Sequence, residues 1–154
     1  MDKLNQLIES IERVLKEDNP EGQWKRKVLT LKRTDTVDVY IVDGDYVRDH
    51  FKDDKLDNQG IQFAIGGHHF RYPFIAEQEI WLEITGAHPE SLSAEYDLSE
   101  NFVHEDIERI YMKFMKLDYE TAHDYASITE RAVRAIHQGK LFDEAYPSMT
   151  LMTL

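Results

Sequence analysis

Phe102-Val103-His104-Glu105-Asp106-Ile107-Glu108-Arg109-Ile110 is the stretch on which the reading of this chain turns. Phe102, Val103, Ile107 and Ile110, continued by Phe114 and Leu117, recur three or four residues apart, the spacing of an amphipathic helix. Asp97 or Ser99 would cap its start. His104 and Glu108 lie at the edge of that apolar stripe, one turn apart on the same face. Their β-carbons should be roughly 5–6 Å apart, so an imidazole nitrogen and a carboxylate oxygen can share one metal ion. Glu105, one step round, would stand beside that ion.

Immediately downstream, Asp118 can cap a second helix, in which Tyr119, Ala122, Ala126, Thr129, Val133 and Ile136 form a further stripe ending at Gly139. The very short turn predicts an antiparallel pair. His123 borders the second stripe, and Glu130 lies two turns on along the same face. If the two edges face each other, His104, Glu108 and His123 converge as metal ligands, with Glu130 a fourth ligand or an acceptor that orients a histidine ring. Two histidines and one carboxylate are a set that catalytic zinc accepts, with water in the open position.

The His-Glu-x-x-His helix of zinc peptidases uses its inner glutamate as general base. Here the second histidine is replaced by Glu108, and Glu105 holds the position of the base. Simpler readings of the same residues exist. A histidine beside an apolar stripe is commonly an interfacial residue, and Glu105–Arg109 and Glu130–Arg134 are acid-before-base i,i+4 pairs that support a solvated helix. Glu120-x-x-His123 also fits a di-iron carboxylate motif, but that bundle needs a second copy and more helices. Glu120 is better placed to favour a helix N-terminus.

Upstream, Leu4, Leu7, Ile8, Ile11, Val14 and Leu15 predict a helix from Lys3 to about Glu17, ended by Asp18-Asn19-Pro20-Glu21-Gly22. Residues 27–32 and 37–42 read as a β-hairpin, residues 61–65 and 79–84 as two more strands. Val42-Asp43-Gly44-Asp45-Tyr46-Val47-Arg48 reads as turn chemistry, because Asp-Gly is a strong hairpin signal. In Gly66-Gly67-His68-His69-Phe70-Arg71-Tyr72-Pro73-Phe74, His68 or His69 could add a ligand or stabilise an oxyanion, and Arg71 could hold a substrate carboxylate. The alternative is a turn entering a strand whose Phe70, Tyr72 and Phe74 alternate into the core. Helix, strands, then helices predict an α+β fold: an N-terminal helix, a roughly four-stranded and mainly antiparallel sheet, and a C-terminal antiparallel helix pair.

The chain's 154 residues suit a single domain, 1–154, with 140–154 expected to be mobile or to dock as a tail. Thirty acidic against 18 basic residues give a formal charge of −12, which argues against a nucleic-acid backbone or an anionic membrane as partner. Cysteine is absent, so thiol catalysis, iron–sulfur clusters and disulfides are excluded. With no apolar span long enough for a membrane and no leader-like start, the cytoplasm is the expected location.

The order of these pieces resembles a group of small, mostly uncharacterised bacterial and phage proteins with zincin-like character. The resemblance is carried by Val42-Asp-Gly-Asp-Tyr-Val-Arg48, Gly66-Gly-His-His-Phe-Arg-Tyr72, Glu79-Ile-Trp-Leu82, His104-Glu-x-x-Glu108-Arg109 and Tyr119-Glu-x-Ala-His123-x-x-Ala126, and it covers most of the chain beyond residue 42. It implies a variant of the gluzincin arrangement in which histidine and glutamate are exchanged, with His104, Glu108 and His123 as ligands, Glu105 as base and zinc as cofactor. The expected function is metal-dependent hydrolysis of a peptide or amide bond in a peptide or protein substrate. The alternatives are a non-catalytic acidic protein of phage or bacterial origin that engages a host protein, and a vestigial zincin whose site is empty. Oligomeric state is left open.

Overall fold

Leu7, Ile11 and Val14 share one face of the N-terminal helix α1 (Asp2–Lys16) and are buried, as the sequence spacing requires. They pack on a sheet formed by β1 (Lys25–Leu31), β2 (Val37–Val42), β3 (Gly66–His68) and β4 (Glu79–Glu83), in the spatial order β1-β2-β4-β3. The remaining elements are α2 (Gly44–His50), the single turn α3 (Asp54–Asp57), α4 (Ala94–Phe114) and α5 (Tyr119–Ala145). This computed structural model describes residues 2–52, 54–58, 62–84 and 93–145.

β1 and β2 form the expected antiparallel hairpin, with a register shift between Lys27 and Leu29. That irregularity lets Val28 and Leu31, three positions apart, both reach the core. β3 also pairs antiparallel with β4, but the central β2–β4 pairing is parallel, from Asp38↔Glu79 to Val42↔Glu83. The sheet is therefore mixed. A parallel neighbour needs a crossover, and here the segment that carries α2, α3 and β3 provides it.

Strand alternation divides the apolar residues between two faces. Val37, Val39 and Ile41 of β2 and Ile80 and Leu82 of β4 meet α1 and the Leu98–Phe102 face of α4. Tyr40, Val42 and Trp81 join Trp24, Val47, Phe51, Phe63, Tyr72, Phe74 and Ile75 on the other face. There Trp24, Phe51, Phe63 and Phe74 each contact the Trp81 ring, with centroid distances from 5.5 Å for Trp24 to 6.4 Å for Phe63.

Several local expectations are corrected. Gln62–Ile65 form no strand, apart from an isolated bridge between Ala64 and Gly66, while Ile61 lies outside the described residues. The strand is Gly66-Gly67-His68, which escapes a pattern search because two of its residues have no side chain to alternate. Residues 69–71 and 73–74 are turns, so Phe70, Tyr72 and Phe74 are delivered to their surroundings by turn geometry and not by a strand. Asp43-Gly44 opens α2 instead of a hairpin: the Asp43 carboxylate accepts from the Asp45 and Tyr46 N–H groups at 3.0 and 3.3 Å, a helix N-cap.

α4 starts after Ser93, a turn earlier than expected, and Asp97 and Ser99 are buried inside it. Lys116, with φ of 56°, turns the chain after α4. Asp118 then caps α5 by accepting from the Thr121 N–H at 2.8 Å. α5 continues through Gly139 to Ala145, and the rest of the expected tail, 146–154, lies outside the described residues. Glu100 meets His137, His104 meets Glu130 and Glu108 meets His123, so the two helices run antiparallel. No helix among the described residues is long and apolar enough to cross a membrane.

Candidate metal centre

α4 is unusual in what it buries. Beside Leu98 and Phe102 it removes Asp97, Ser99, Glu100, Asn101, Glu105, Asp106, Glu108 and Arg109 from solvent. Buried polar groups need partners, and these are drawn from other elements. Asp106 pairs with Arg33, and Glu100 with Arg134 and His137. Arg109 reaches the Asp35 carboxylate and, at 2.8–3.0 Å, the Glu77 carbonyl, rather than forming the expected surface pair with Glu105. Glu130 and Arg134 do form their pair.

Glu108 is the hub of the remaining set. Its Oε2 lies 3.1 Å from His104 Nε2 and 3.0 Å from His123 Nδ1, and those two nitrogens are 3.1 Å apart. Three donor atoms thus form a nearly equilateral triangle. A tetrahedral ion with bonds of about 2.0–2.2 Å needs its donors roughly 3.3 Å apart, so the triangle closes to a zinc-sized site with slight adjustment. One vertex of the tetrahedron is left for water or substrate.

The surroundings fix which nitrogen faces that point. His104 Nδ1 lies 2.9 Å from Glu130 Oε1, an ion-pair contact that is not aligned as a hydrogen bond. A buried ring nitrogen so close to a carboxylate carries its proton, which leaves Nε2 to bind. Tyr119, one turn before His123, has its hydroxyl 3.3 Å from His123 Nδ1. The sequence reading missed Tyr119, although the i,i+4 rule that links His104 to Glu108 links this pair too.

A second triad, His68, Glu105 and Glu108, is also close enough to hold an ion. The hydrogen bonds assign His68 a different task. Its Nδ1 accepts from the Phe70 N–H at 3.2 Å, so the neutral ring carries its proton on Nε2 and donates it to Glu108 Oε1 at 2.8 Å. Burial holds the imidazole below its ordinary pKa against the pull of Glu108, which keeps the ring neutral. His68 therefore orients the Glu108 carboxylate. His69 is turned away, with Nδ1 2.8 Å from the Ile75 carbonyl, and braces the turn.

Without an ion, protons do the bonding. Burial opposes charge on His104, but the Glu108 and Glu130 carboxylates outweigh it and push its pKa up to about 10. Burial likewise opposes the Glu108 carboxylate, yet donation from His104 and His68 holds it below the usual range. Glu105 is pushed up, first by burial and then by the nearby Glu108 charge. Any metal held there would have to displace the His104 Nε2 proton, so ion and proton would compete for the site.

His104, Glu105, Glu108, His123, Glu130 and Arg71 line one cleft of about 270 Å³. Ile65, also on its wall, has φ of 68°, a strained value for a β-branched residue. Its N–H donates to the buried Glu83 carboxylate at 2.7 Å, which holds it there. A larger cavity of about 500 Å³, bounded by Arg48, Phe51, Phe63, Tyr72 and Phe74, shares Tyr72 with the cleft but contains none of the donors. Comparison of the chain with protein-family models, with curated proteins and with solved structures gives no match.

Proposed function

We propose that this protein is a metal-dependent hydrolase of peptide or amide bonds, with zinc held by His104, Glu108 and His123 and Glu105 as the general base. The observation that carries the reading is the convergence of those three donor atoms at 3.0–3.1 Å from one another in a cleft that also contains Glu105.

Bound zinc would supply Lewis acidity, polarising a carbonyl and lowering the pKa of water. The protein's own groups do the rest. Glu130 holds the His104 ring and His68 holds the Glu108 carboxylate, so two of the three ligands are oriented in advance. Glu105 takes a proton from water as its oxygen bonds to the carbonyl carbon, then passes that proton to the leaving nitrogen as the C–N bond breaks. Burial and the Glu108 charge make Glu105 a stronger base than a surface glutamate, which suits both transfers.

The test is elemental analysis of the purified, untagged protein. About one equivalent of zinc per chain is expected, lost in His104→Ala and in His123→Ala. Less than about a tenth of an equivalent after reconstitution, or unchanged content in both variants, overturns the proposal.

The formal charge of −12 favours one other reading, a non-catalytic acidic protein that engages a basic host partner, with the metal site vestigial. Salt-sensitive capture of a basic partner by a zinc-free protein would support it.

A further inference from the structure

Among the described residues Arg71 is a cation without a carboxylate, in a chain that has acid to spare. No ion pair there holds its guanidinium, and its Nε is buried with no acceptor. The neighbouring Tyr72 hydroxyl gives its proton to the Gln62 carbonyl at 3.0 Å and is the neutral side-chain group that the Arg71 guanidinium meets. The arginines at least partly withdrawn from solvent around the two C-terminal helices behave differently: Arg33, Arg109 and Arg134 are each paired with an acid. Arg71 instead sits over an aromatic ring, its Cζ 3.6 Å from the Tyr119 centroid.

Its position is built rather than incidental. The turn that carries it leaves β3 directly after His68, and the Arg71 and Tyr72 N–H groups donate to the His68 carbonyl at 3.2 and 2.8 Å. The ring beneath it belongs to Tyr119, which also touches His123. One turn and one helix start therefore fix Arg71 relative to the donor triangle. Glu105 and Glu108 share its cleft, yet neither comes within ion-pair distance of it.

We propose that Arg71, stacked on Tyr119, is the subsite for a substrate carboxylate, so that the substrates are short peptides or acyl amino acids with a free carboxylate beside the bond to be cleaved. A guanidinium takes a carboxylate through two parallel N–H···O bonds, and an aromatic face under it holds the planar fork in place. The cleft, at about 270 Å³, is smaller than the roughly 300 Å³ at which ligand pockets usually begin. A space of that size suits a short substrate, and Arg71 on its wall suits one that ends in a carboxylate. The hydrolase reading supplies the reaction on which this substrate class rests, whereas the anion subsite can be tested separately.

The experiment follows the Arg71 Nε–H resonance by NMR while N-acetylalanine or its neutral amide is added. It is run on the full chain as purified and again in excess EDTA, where no ion is left to bind the carboxylate. The acid is expected to bind at least about tenfold tighter than the amide, and to move the Nε–H signal downfield. Arg71→Gln should abolish the preference. Arg71→Lys, which keeps the charge but not the fork, should retain part of it and serves as the measurement if the glutamine variant fails to fold. Equal binding of acid and amide, binding of neither, or a preference that survives Arg71→Gln overturns the proposal. Zinc content is measured on the same samples: a carboxylate preference in a zinc-free protein sinks the hydrolase and leaves the anion site standing, and zinc without the preference does the reverse.

Discussion

His68 Nε2 lies 2.8 Å from Glu108 Oε1, joining residues 40 positions apart inside the protein. The contact makes edge strand β3 a support for the helix that carries the candidate ligands. Because His68 donates to one oxygen of Glu108, the other oxygen faces His104 and His123.

Replacing His68 should therefore weaken metal binding without abolishing it. His68→Ala frees Glu108 to rotate, and removing such an orienting partner typically lowers metal affinity by about 10–100-fold. Competition against a chromophoric chelator measures it. If zinc is lost as completely as in His104→Ala, His68 is a ligand and its proton does not sit on Nε2.

Glu105→Gln should leave metal content unchanged and remove hydrolysis. Gln keeps the shape but accepts no proton, and losing a positioned base costs roughly 10²–10⁴-fold in rate. Zinc analysis and turnover on one protein preparation test both halves. Turnover within about tenfold of the parent would take the base assignment away from Glu105.

Asp35 and Arg109 predict an acid-sensitive clamp. The Arg109 side chain is fully buried, and Asp35 in the β1–β2 turn is the carboxylate that both it and Lys113 meet. Burial pushes the Asp35 carboxyl up, but hydrogen bonds from Arg109 and Lys113 outweigh it and hold its pKa below the ordinary value. A depressed carboxylate pKa gives stability that is complete above the unfolded value, about 3.9, and is lost as pH falls through the folded value. Asp35→Asn should cost about 3–5 kcal/mol at neutral pH by leaving a buried cation less compensated. It should also flatten the acid limb of a stability–pH curve from urea unfolding. An unchanged acid limb would show that the pair does not govern acid stability.

Two glycines should respond oppositely to alanine. A Cβ on Gly66 would sit 2.9 Å from the Trp81 carbonyl and 3.3 Å from Glu105 Cγ, so β3 must move off β4 or Glu105 must shift. A loss of about 1–3 kcal/mol is expected. Gly139 lies within α5 with nothing within 4 Å of an added Cβ. Gly139→Ala should add about 0.5–1 kcal/mol through the helix preference of alanine. Thermal melts of the two variants decide this, and a stabilising Gly66→Ala would contradict the close packing at β3.

The parts of the fold legible in sequence are those with a repeating local signal. α1, the β1–β2 hairpin, β4 and both C-terminal helices repeat their apolar residues at the helix or strand period, and their positions follow within a turn or so, except that α5 runs six residues past the expected end at Gly139. The candidate site is legible to the same depth, because the i,i+4 spacing of His104 and Glu108 is itself a helix property. β3 is not legible, since Gly66 and Gly67 carry no pattern. The stretch before it, Gln62-Phe63-Ala64-Ile65, has the look of a strand but pairs through a single bridge. Asp43-Gly44 misleads because the same dipeptide serves a hairpin turn or a helix start, and the packing of Tyr46 and Val47 beyond it selects the helix.

The sequence by itself determined where the main helices and strands run and that His104 and Glu108 share a face, because backbone geometry ties side-chain direction to spacing along the chain. Only the tertiary structure decided that β2 and β4 run parallel, that His68 meets Glu108, that Arg109 is buried against Asp35, and that Arg71 lies on the Tyr119 ring. Those pairings join residues dozens of positions apart. They are settled by which polar groups find partners once the apolar faces have closed, and no local period in the chain records that outcome.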